Sequence, residues 1–353
     1  MINLNHNIIF DYIYILIFII IITPLIIIIN KKNIFTFYVY DKVQNTNGHK
    51  ASLLGGILLF TYLLIFFKLD IIFTFFLVVI TFTGFLSDSK FLENSKIRLL
   101  LLFLSTLIYI YMSSGLINTT GFDKLDLVLN YKIFNILFTG FCITLIINGC
   151  NFIDGINNNL NFYFIKILIV LIFTVRGIPL NFENIILLDN LTKLMAFMFF
   201  LAVINYFSII FNGDSGAYLI GTFISVLTIS IVNNNIEIEP MFACCIFAYP
   251  AIEVLFSILR KKIEKNTCDN FGPLQADDMH IHMILLRYLK KKFSLNINNS
   301  HFLTSLIISI CNGAYLLLIF LNRDNFLNLN ICFYVYLILY FFIYLIMLKG
   351  SKN

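Results

Sequence analysis

The sequence predicts an all-α, polytopic integral membrane protein with about eleven transmembrane helices. Composition is the first observation: 60% of the residues are hydrophobic and only 12% are charged, which excludes an ordinary soluble domain. The second is that apolar segments of roughly 20 residues alternate with short polar breaks, as spans across a bilayer require. The third is that Lys and Arg collect in alternate connections, which indicates a fixed orientation in the membrane.

Length and polar breaks define the spans, because helices surrounded by lipid and other helices are apolar on all sides. The predicted spans are 12–29, 52–67, 71–87, 97–114, 132–149, 160–175, 190–210, 217–233, 240–259, 302–321 and 328–348. The sixth is short and carries Lys166, whose amine can reach the nearer interface. The apolar stretch near the N-terminus has no basic region and no small-residue cleavage site, so it is interpreted as a retained span.

The basic residues predict which side each connection faces. One set of connections, with the C-terminal tail, holds 17 Lys and Arg, whereas the other set holds 6. Basic residues accumulate on the cytoplasmic side. The N-terminus is therefore expected outside and the C-terminus in the cytoplasm, with cytoplasmic loops near 30–50, 87–98, 149–161, 211–217 and 260–300.

Composition and spacing argue against several other classes of protein. Aromatic residues do not alternate with Arg or Lys in a soluble segment, so nucleic-acid binding is not expected. The seven cysteines show no CxxC spacing and lie mostly in apolar segments, which argues against disulfides and a zinc site. Neither a GxxxxGK[ST] phosphate loop nor a GxSxG nucleophile elbow is present.

The densest polar cluster is Asn148–Asn159, at the end of the fifth span. Its asparagines offer neutral donors and acceptors, and Asp154 offers a carboxylate for a metal or a proton. The alternative is a loop that caps a helix, since Asn and Gly are ordinary turn residues. The predicted topology favours the functional interpretation, because this cluster shares the cytoplasmic face with four others.

The other clusters also have both a functional and a structural interpretation. Gly213–Gly216 can hold a cation through Asp214 or form a capped turn. Asp88 can act as a metal ligand or a base, or it can cap the next segment or pair with Lys90. His280 and His282 can contact phosphate or metal, or lie on an ordinary surface loop. Together the three carboxylates, the two histidines and nearby basic residues suit Mg²⁺-dependent chemistry on a phosphate-bearing substrate.

These motifs resemble those of the polyprenyl-phosphate N-acetylhexosamine-1-phosphate transferases, within glycosyltransferase family 4. Relatives in this family include the phospho-N-acetylmuramoyl-pentapeptide transferase and the undecaprenyl-phosphate N-acetylglucosamine-1-phosphate transferase. The stretch 148–155 is similar to the NxxNxxDG motif, 213–221 to GDSGxxxLG, and 276–282 to ADxxHLH. The stretch 249–257 resembles the span before that last motif, and Gly55-Gly56 resembles an early GG pair. The likeness runs from about Gln44 to Arg287 and covers nearly the whole chain.

The resemblance implies a single catalytic membrane domain over residues 1–353. The implied reaction transfers a sugar 1-phosphate from a UDP-N-acetylhexosamine to undecaprenyl phosphate and releases UMP. It implies Mg²⁺, with Mn²⁺ as an alternative, and the bacterial inner membrane, with the active site on the cytoplasmic face. The product would begin lipid-linked surface-polysaccharide synthesis, such as O-antigen of lipopolysaccharide. Homodimers are known in the family, and the sequence leaves the oligomeric state open.

The roles expected for individual residues follow from the matched motifs. Asp88, Asp154 and Asp214 are expected to be catalytic, with Asp214 and Asp88 as metal ligands. The residues expected to bind substrate are polar or basic: Asn148, Asn151, Asp277, His280, His282, Arg98 and Lys50. The chain departs from the family at Ser87, which replaces the first of two adjacent aspartates, and at Asn157, where a second acid is usual. These departures leave the identity of a catalytic base open.

Two other functions are kept as alternatives. One is synthesis of the first lipid intermediate of peptidoglycan from a UDP-muramoyl-pentapeptide. The other is a transporter or flippase, which would place polar residues near the middle of the bilayer and make them accessible from both faces.

Overall fold

The computed structural model describes residues 2–31, 52–178, 182–265, 279–293 and 296–352. Within these ranges the chain is helical, and its only β-type pairing is an isolated parallel bridge between Ser52 and Ile210. The helices are α1 Ile2–Lys31, α2 Gly55–Phe66, α3 Ile71–Asp88, α4 Ser95–Ser113, α5 Asp123–Leu129, α6 Lys132–Ile153, α7 Asn159–Arg176, α8 Phe182–Tyr206, α9 Gly213–Asn233, α10 Met241–Ile246, α11 Ala248–Lys265, α12 Ile281–Phe293, α13 Ile297–Leu321 and α14 Phe326–Lys352. The all-α membrane architecture predicted from the sequence is confirmed.

Nine helices of the described part are long and apolar enough to cross a membrane. The predicted count of eleven is not confirmed, because two predicted spans have a different form. The span 52–67 contains α2, which has only 12 residues. The span 240–259 is divided into α10 and α11, which meet at Phe247.

Helix α9 lies at the centre of the bundle and packs against α2, α3 and α6. Small residues permit these close contacts. A Cβ atom on Gly84 of α3 would collide with the backbone of Ser215, and one on Gly221 of α9 would lie 2.8 Å from the Cα atom of Ile147. Small residues at helix interfaces let the backbones approach, and such packing replaces the hydrophobic driving force that is missing in lipid.

The outermost helices are the least buried. Only 11% of the apolar window is buried in α1, and the same is true of α14, against 72% in α9. Large side chains such as Ile20 and Ile21 in α1 are more than half exposed. Apolar surface of this extent is expected where the solvent is lipid.

Several helix ends converge at one end of the bundle, called the site end here. They are the C-termini of α3 and α6 and the N-termini of α4, α7, α9 and α12, as the contacts below show. Helix α6 continues beyond its predicted end at 149 as far as Ile153, so Asn148 and Asn151 lie in its last turns and not in a loop. The loop between α6 and α7 is therefore shorter than the predicted 149–161.

Candidate functional site

The segment before α9 is attached to the segment before α2. The N–H of Phe211 donates to the carbonyl of Ser52 at 2.9 Å, and the N–H of Gly55 donates to the carbonyl of Phe211 at 3.0 Å. The N–H of Gly56 donates to the carbonyl of Asn212 at 3.2 Å. A Cβ atom on Gly55 would lie 2.7 Å from the carbonyl oxygen of Phe211, so only glycine permits this approach. The two glycine-containing motifs of the sequence thus fold against each other.

Asp88, the last residue of α3, caps the N-terminus of α9. Its Oδ1 accepts the N–H of Asp214 at 2.8 Å, and its Oδ2 accepts the N–H of Ser215 at 3.1 Å. The first N–H groups of a helix have no partner within the helix and favour a negative charge, so this carboxylate satisfies both requirements. Asp88 therefore does cap a helix, as the structural interpretation proposed. The helix is α9, which is distant in sequence, and not the next segment of the chain.

Gly213 is required by the same contact. Its φ angle is +68°, in the left-handed region, and a Cβ atom there would lie 2.6 Å from Oδ2 of Asp88. A side chain at this position would strain the backbone and displace the carboxylate.

Asp214 lies one residue further into α9, and its carboxylate contacts Arg98 and Ser87. The Nη1 atom of Arg98 is 2.7 Å from Oδ2 of Asp214. The hydroxyl of Ser87 donates to the same oxygen and accepts from Arg98. The structure thus brings three predicted site residues, Asp88, Arg98 and Asp214, into one cluster, and Ser87 joins it as a neutral bridge in place of a second carboxylate.

Asp154 is connected to this cluster through the residue that precedes α9. The side-chain N–H₂ of Asn212 donates to Oδ1 of Asp154 at 3.1 Å and to Oδ1 of Asn161 at 3.0 Å. Asp154 lies at the C-terminal end of α6. One amide therefore joins the ends of α6, α7 and α9.

The asparagines that follow Asp154 form a buried framework. The N–H of Asn157 donates to Nδ1 of His301 at 3.2 Å, and the N–H of Asn158 donates to the side chain of Asn205 at 2.8 Å. Asn158 has a φ angle of +65°, a conformation that Asn adopts more readily than most residues. Because these amides are buried and bonded within the protein, the turn-forming interpretation applies to this half of the predicted cluster.

Asn148 and Asn151 instead line a groove with a volume of about 520 Å³ between α4, α6 and α11. Its walls are mostly apolar and include Leu99, Phe103 and Phe141. Arg98 also lines this groove. The groove is therefore apolar along most of its surface and reaches the Asp214 cluster through Arg98.

The two predicted histidines have different surroundings. The Nδ1 atom of His280 is 2.9 Å from Oε2 of Glu253, and both side chains are buried. The ring of His280 stacks on that of His282, with centroids 5.6 Å apart and planes 7° apart, and meets the ring of Phe152 edge-on at 5.2 Å. His280 thus adjoins Phe152, which lines the groove.

His282 is completely buried. Its ring packs so closely on Gly155 that a Cβ atom there would collide with Nε2 of His282. Within the described ranges neither ring nitrogen of His282 has a hydrogen-bond partner. Desolvation, together with the charges of His280 and His301, holds the pKa of His282 well below 6.5. The ring is therefore neutral near pH 7 and contacts the Asp154–Gly155 turn.

Glu253 was not singled out from the sequence as a site residue. A lone carboxylate in an apolar segment is the signal that could have revealed it. Placing such a group in a membrane costs free energy, so it is nearly always paired with another polar group. Two predicted residues, Lys50 and Asp277, lie outside the described ranges. The assignments of the remaining predicted residues to catalysis and substrate binding stay predictions.

The chain is similar to one known protein family over part of its length. No curated protein matches the chain. A family profile described as Glycosyl transferase family 4 matches residues 71–232, a range that contains Asp88, Arg98, Asn148, Asn151, Asp154 and Asp214. This match confirms the predicted resemblance and supports a polyprenyl-phosphate sugar-1-phosphate transferase in general. Over residues 71–232, somewhat less than half of the chain and the part that builds the Asp214 cluster, the sequence is similar to glycosyl transferase family 4.

Proposed function

We propose that this protein transfers a sugar 1-phosphate from a UDP-N-acetylhexosamine to undecaprenyl phosphate at the cytoplasmic face of the bacterial inner membrane. An oxygen of the lipid phosphate attacks the β-phosphorus of the UDP-sugar. The bond between that phosphorus and the bridging oxygen breaks, UMP leaves with the bridging oxygen, and the lipid-linked sugar diphosphate stays in the membrane. The family match supports the general reaction, and the choice of both substrates is our proposal.

The observation that carries the proposal is the position of Arg98. This residue lines the apolar groove and also contacts Asp214 at 2.7 Å. A lipid phosphate has the same two parts, a long hydrocarbon chain and a small anionic head. A groove that would accommodate part of the chain and end at a guanidinium suits such a ligand, because Arg binds phosphate oxygens through two parallel N–H groups.

The carboxylates fit a magnesium ion that is shared with the substrate. Among the described residues, no three His, Cys, Asp or Glu side chains are grouped closely enough to hold a metal by themselves. Mg²⁺ does not require such a cage, since it is usually bound by one or two carboxylates together with water and substrate phosphates. Asp214 would be its main ligand and Asp88 the second. The ion would neutralise charge on the diphosphate and on the departing UMP.

The protein's own groups then position the two anions. Arg98 would hold the lipid phosphate, Asn148 and Asn151 would contact the UDP-sugar, and Asp154 would hold Asn212 before α9. A phosphate that is already ionised near pH 7 needs little help from a base, so positioning accounts for most of the contribution. The serine at position 87, where the family has an aspartate, is compatible with this reaction, because no carboxylate is then needed as a base at that position.

An assay of UMP release distinguishes the proposed function from two other functions. Synthesis of the peptidoglycan lipid intermediate would require a UDP-muramoyl-pentapeptide as donor. A flippase would release no UMP. The described polar cluster gathers at one end of the bundle, whereas a transporter binds its substrate near the middle of the membrane.

The experiment uses purified protein in detergent with undecaprenyl phosphate, Mg²⁺ and a panel of UDP-sugars, and it measures UMP and radiolabelled lipid product. We expect UMP release with at least one UDP-N-acetylhexosamine, and its loss on removal of Mg²⁺ or of the lipid. Asp214→Asn is expected to abolish product formation, and wild-type-like activity of this variant would overturn the metal assignment. Release of UMP with only the muramoyl-pentapeptide donor would favour the peptidoglycan reaction, and no release with any donor would refute the transferase.

A further inference from the structure

We infer that Glu253 is a positioning residue for His280, which it orients toward the substrate of the proposed transferase. This inference rests on the proposed function and concerns residues outside the matched range 71–232. Glu253 belongs to α11, whereas His280 immediately precedes α12. Their contact joins two parts of the chain at the site end.

The burial of Glu253 is the first observation. The residue is 1% exposed, and its neighbour Val254 lines the apolar groove. A carboxylate removed from water is costly unless it is paired and hydrogen-bonded. The Nδ1 atom of His280, at 2.9 Å, is such a partner.

The backbone of His280 is held independently of that contact. Its carbonyl accepts the N–H groups of Met283 and Ile284 at 2.9 and 3.0 Å and so begins α12. The hydroxyl of Tyr344, in α14, donates to the carbonyl of Met279 at 3.0 Å. The backbone therefore determines where His280 lies, and the side-chain contacts determine how its ring is turned.

Glu253 determines which ring nitrogen faces the site. With the carboxylate of Glu253 as the acceptor of this hydrogen bond, Nδ1 of His280 carries the proton. The other nitrogen, Nε2, then lies on the opposite side of the ring from Glu253. Phe152 meets the ring edge-on and also lines the groove beside Asn148 and Asn151. The ring of His280 thus lies behind Phe152, next to the groove, and we place Nε2 as the atom that would contact the diphosphate or the sugar.

Stacking on His282 restricts the ring further. The two planes are 7° apart, and His282 is itself packed against Gly155. A ring held by Glu253 on one edge and by His282 on one face has little rotational freedom. Orientation of a histidine by a carboxylate is a common arrangement in catalytic sites, where the carboxylate acts only through the histidine.

The test is a double-mutant cycle on the purified full chain, with UMP release as the readout. Its variants are Glu253→Gln, His280→Gln and the double variant, and the matched control is Glu237→Gln, an exposed carboxylate in the connection between α9 and α10. We expect Glu253→Gln to lower kcat/KM about tenfold or more, mainly through kcat, because ring orientation matters most in the transition state. The double variant is expected to match His280→Gln, and Glu237→Gln to match the wild type.

Non-additivity separates positioning from a merely structural role. If Glu253→Gln lowers kcat/KM by the same factor in the wild type and in His280→Gln, the carboxylate does not act through His280 and the inference is overturned. Wild-type kcat/KM in Glu253→Gln would also overturn it. If Glu253→Gln does not fold, as judged by size-exclusion chromatography, the cycle is repeated with Glu253→Asp, and the same two outcomes decide.

A second measurement does not depend on turnover. Spectra of protein labelled with ¹⁵N-histidine report which ring nitrogen carries a proton, and His280→Gln assigns the signal of His280. We expect a proton on Nδ1 in the wild type and a shifted signal in Glu253→Gln. A proton confined to Nε2 would overturn the inference even if the wild type released UMP. If the wild type releases no UMP, the proposed function fails while this spectrum still tests the contact.

Discussion

The carboxylate of Asp88 accepts the backbone N–H of Asp214 at 2.8 Å, although 126 residues separate them in the chain. The end of α3 therefore holds the start of α9 and sets the position of the Asp214 side chain. Through Ser87, the same end of α3 also contacts that side chain directly. Asp88 thus binds the backbone at the start of α9, whereas the adjacent Ser87 binds the carboxylate of Asp214.

Replacement of Asp88 is expected to destabilise the protein as well as inactivate it. In Asp88→Ala the first N–H groups of α9 lose their buried acceptor. Loss of a helix cap costs about 1–2 kcal/mol, and loss of a negative charge at a helix N-terminus adds to this. Thermal unfolding followed by circular dichroism of the helices measures the change.

The matched control for Asp88 is Asp70, which caps α3 at its other end. Its side chain accepts the N–H of Ile72 at 3.0 Å at an exposed position. Asp70→Ala should cost less stability than Asp88→Ala and leave UMP release unchanged. Equal effects of the two substitutions on stability and activity would contradict the special role of Asp88.

Gly213→Ala should be more damaging than the small side chain suggests. The new Cβ atom would face both an unfavourable φ of +68° and the Asp88 carboxylate at 2.6 Å. Left-handed strain in a residue other than glycine costs of order 1–3 kcal/mol, before the displacement of Asp88 is counted. We expect a lower unfolding temperature and loss of UMP release.

Gly115→Ala is the control for Gly213→Ala, because within the described part of the chain the only atom near the new Cβ is Oγ of Ser113 at 3.1 Å. This variant should unfold within a few degrees of the wild type and retain activity. A Gly213→Ala variant with unchanged stability and activity would show that the cap tolerates rearrangement.

Arg98→Gln should weaken use of the lipid phosphate and disturb Asp214. The guanidinium is the cationic partner of a carboxylate whose side chain is 8% exposed, and its removal leaves that charge poorly compensated. We expect kcat/KM for undecaprenyl phosphate to fall about a hundredfold, a typical loss for a group that stabilises developing charge.

Lys132→Gln is the control for Arg98→Gln. Lys132 begins α6 at the end opposite the site and is exposed, so its loss should not change the kinetics. A similar loss in both variants would point to a general charge effect and would contradict a specific role for Arg98.

His282 should make stability depend on pH on the acid side. Its pKa lies well below 6.5 in the folded protein because of burial, whereas the unfolded chain takes up this proton near pH 6.5. The unfolded state then binds more protons at low pH. The contribution of His282 to stability is therefore present above pH 6.5 and is lost as the pH falls below it, by up to about 1.4 kcal/mol per pH unit.

Thermal unfolding between pH 7.5 and 5.0 measures this effect. The unfolding temperature of the wild type should fall as the pH decreases, and that of His282→Gln should fall less steeply. If both proteins have the same pH dependence, another group is responsible for it.

The apolar spans and the motif residues could be predicted from the sequence because they depend on local composition and spacing. A bilayer requires long apolar segments, so length alone predicted most of the membrane-crossing helices. The break at Phe247 was not predicted, because residues 240–259 are apolar on both sides of it. Pro250, in the first turn of α11, is the local signal that was not used.

The contacts between distant residues required the tertiary structure. Helices that are apolar on all sides carry little information about which face meets which neighbour, so the spacing of Asp88 could not indicate that it caps α9. Nor could the motifs show that Glu253 holds His280, or that Asn157 and Asn158 are buried framework while Asn148 and Asn151 line a groove. The sequence was sufficient for the membrane class, the resemblance to the family and most residues of the Asp214 cluster. The role of each residue depends on packing between α3, α6, α9, α11 and α12, and glycines in α3, α6 and α9 allow the backbones to approach.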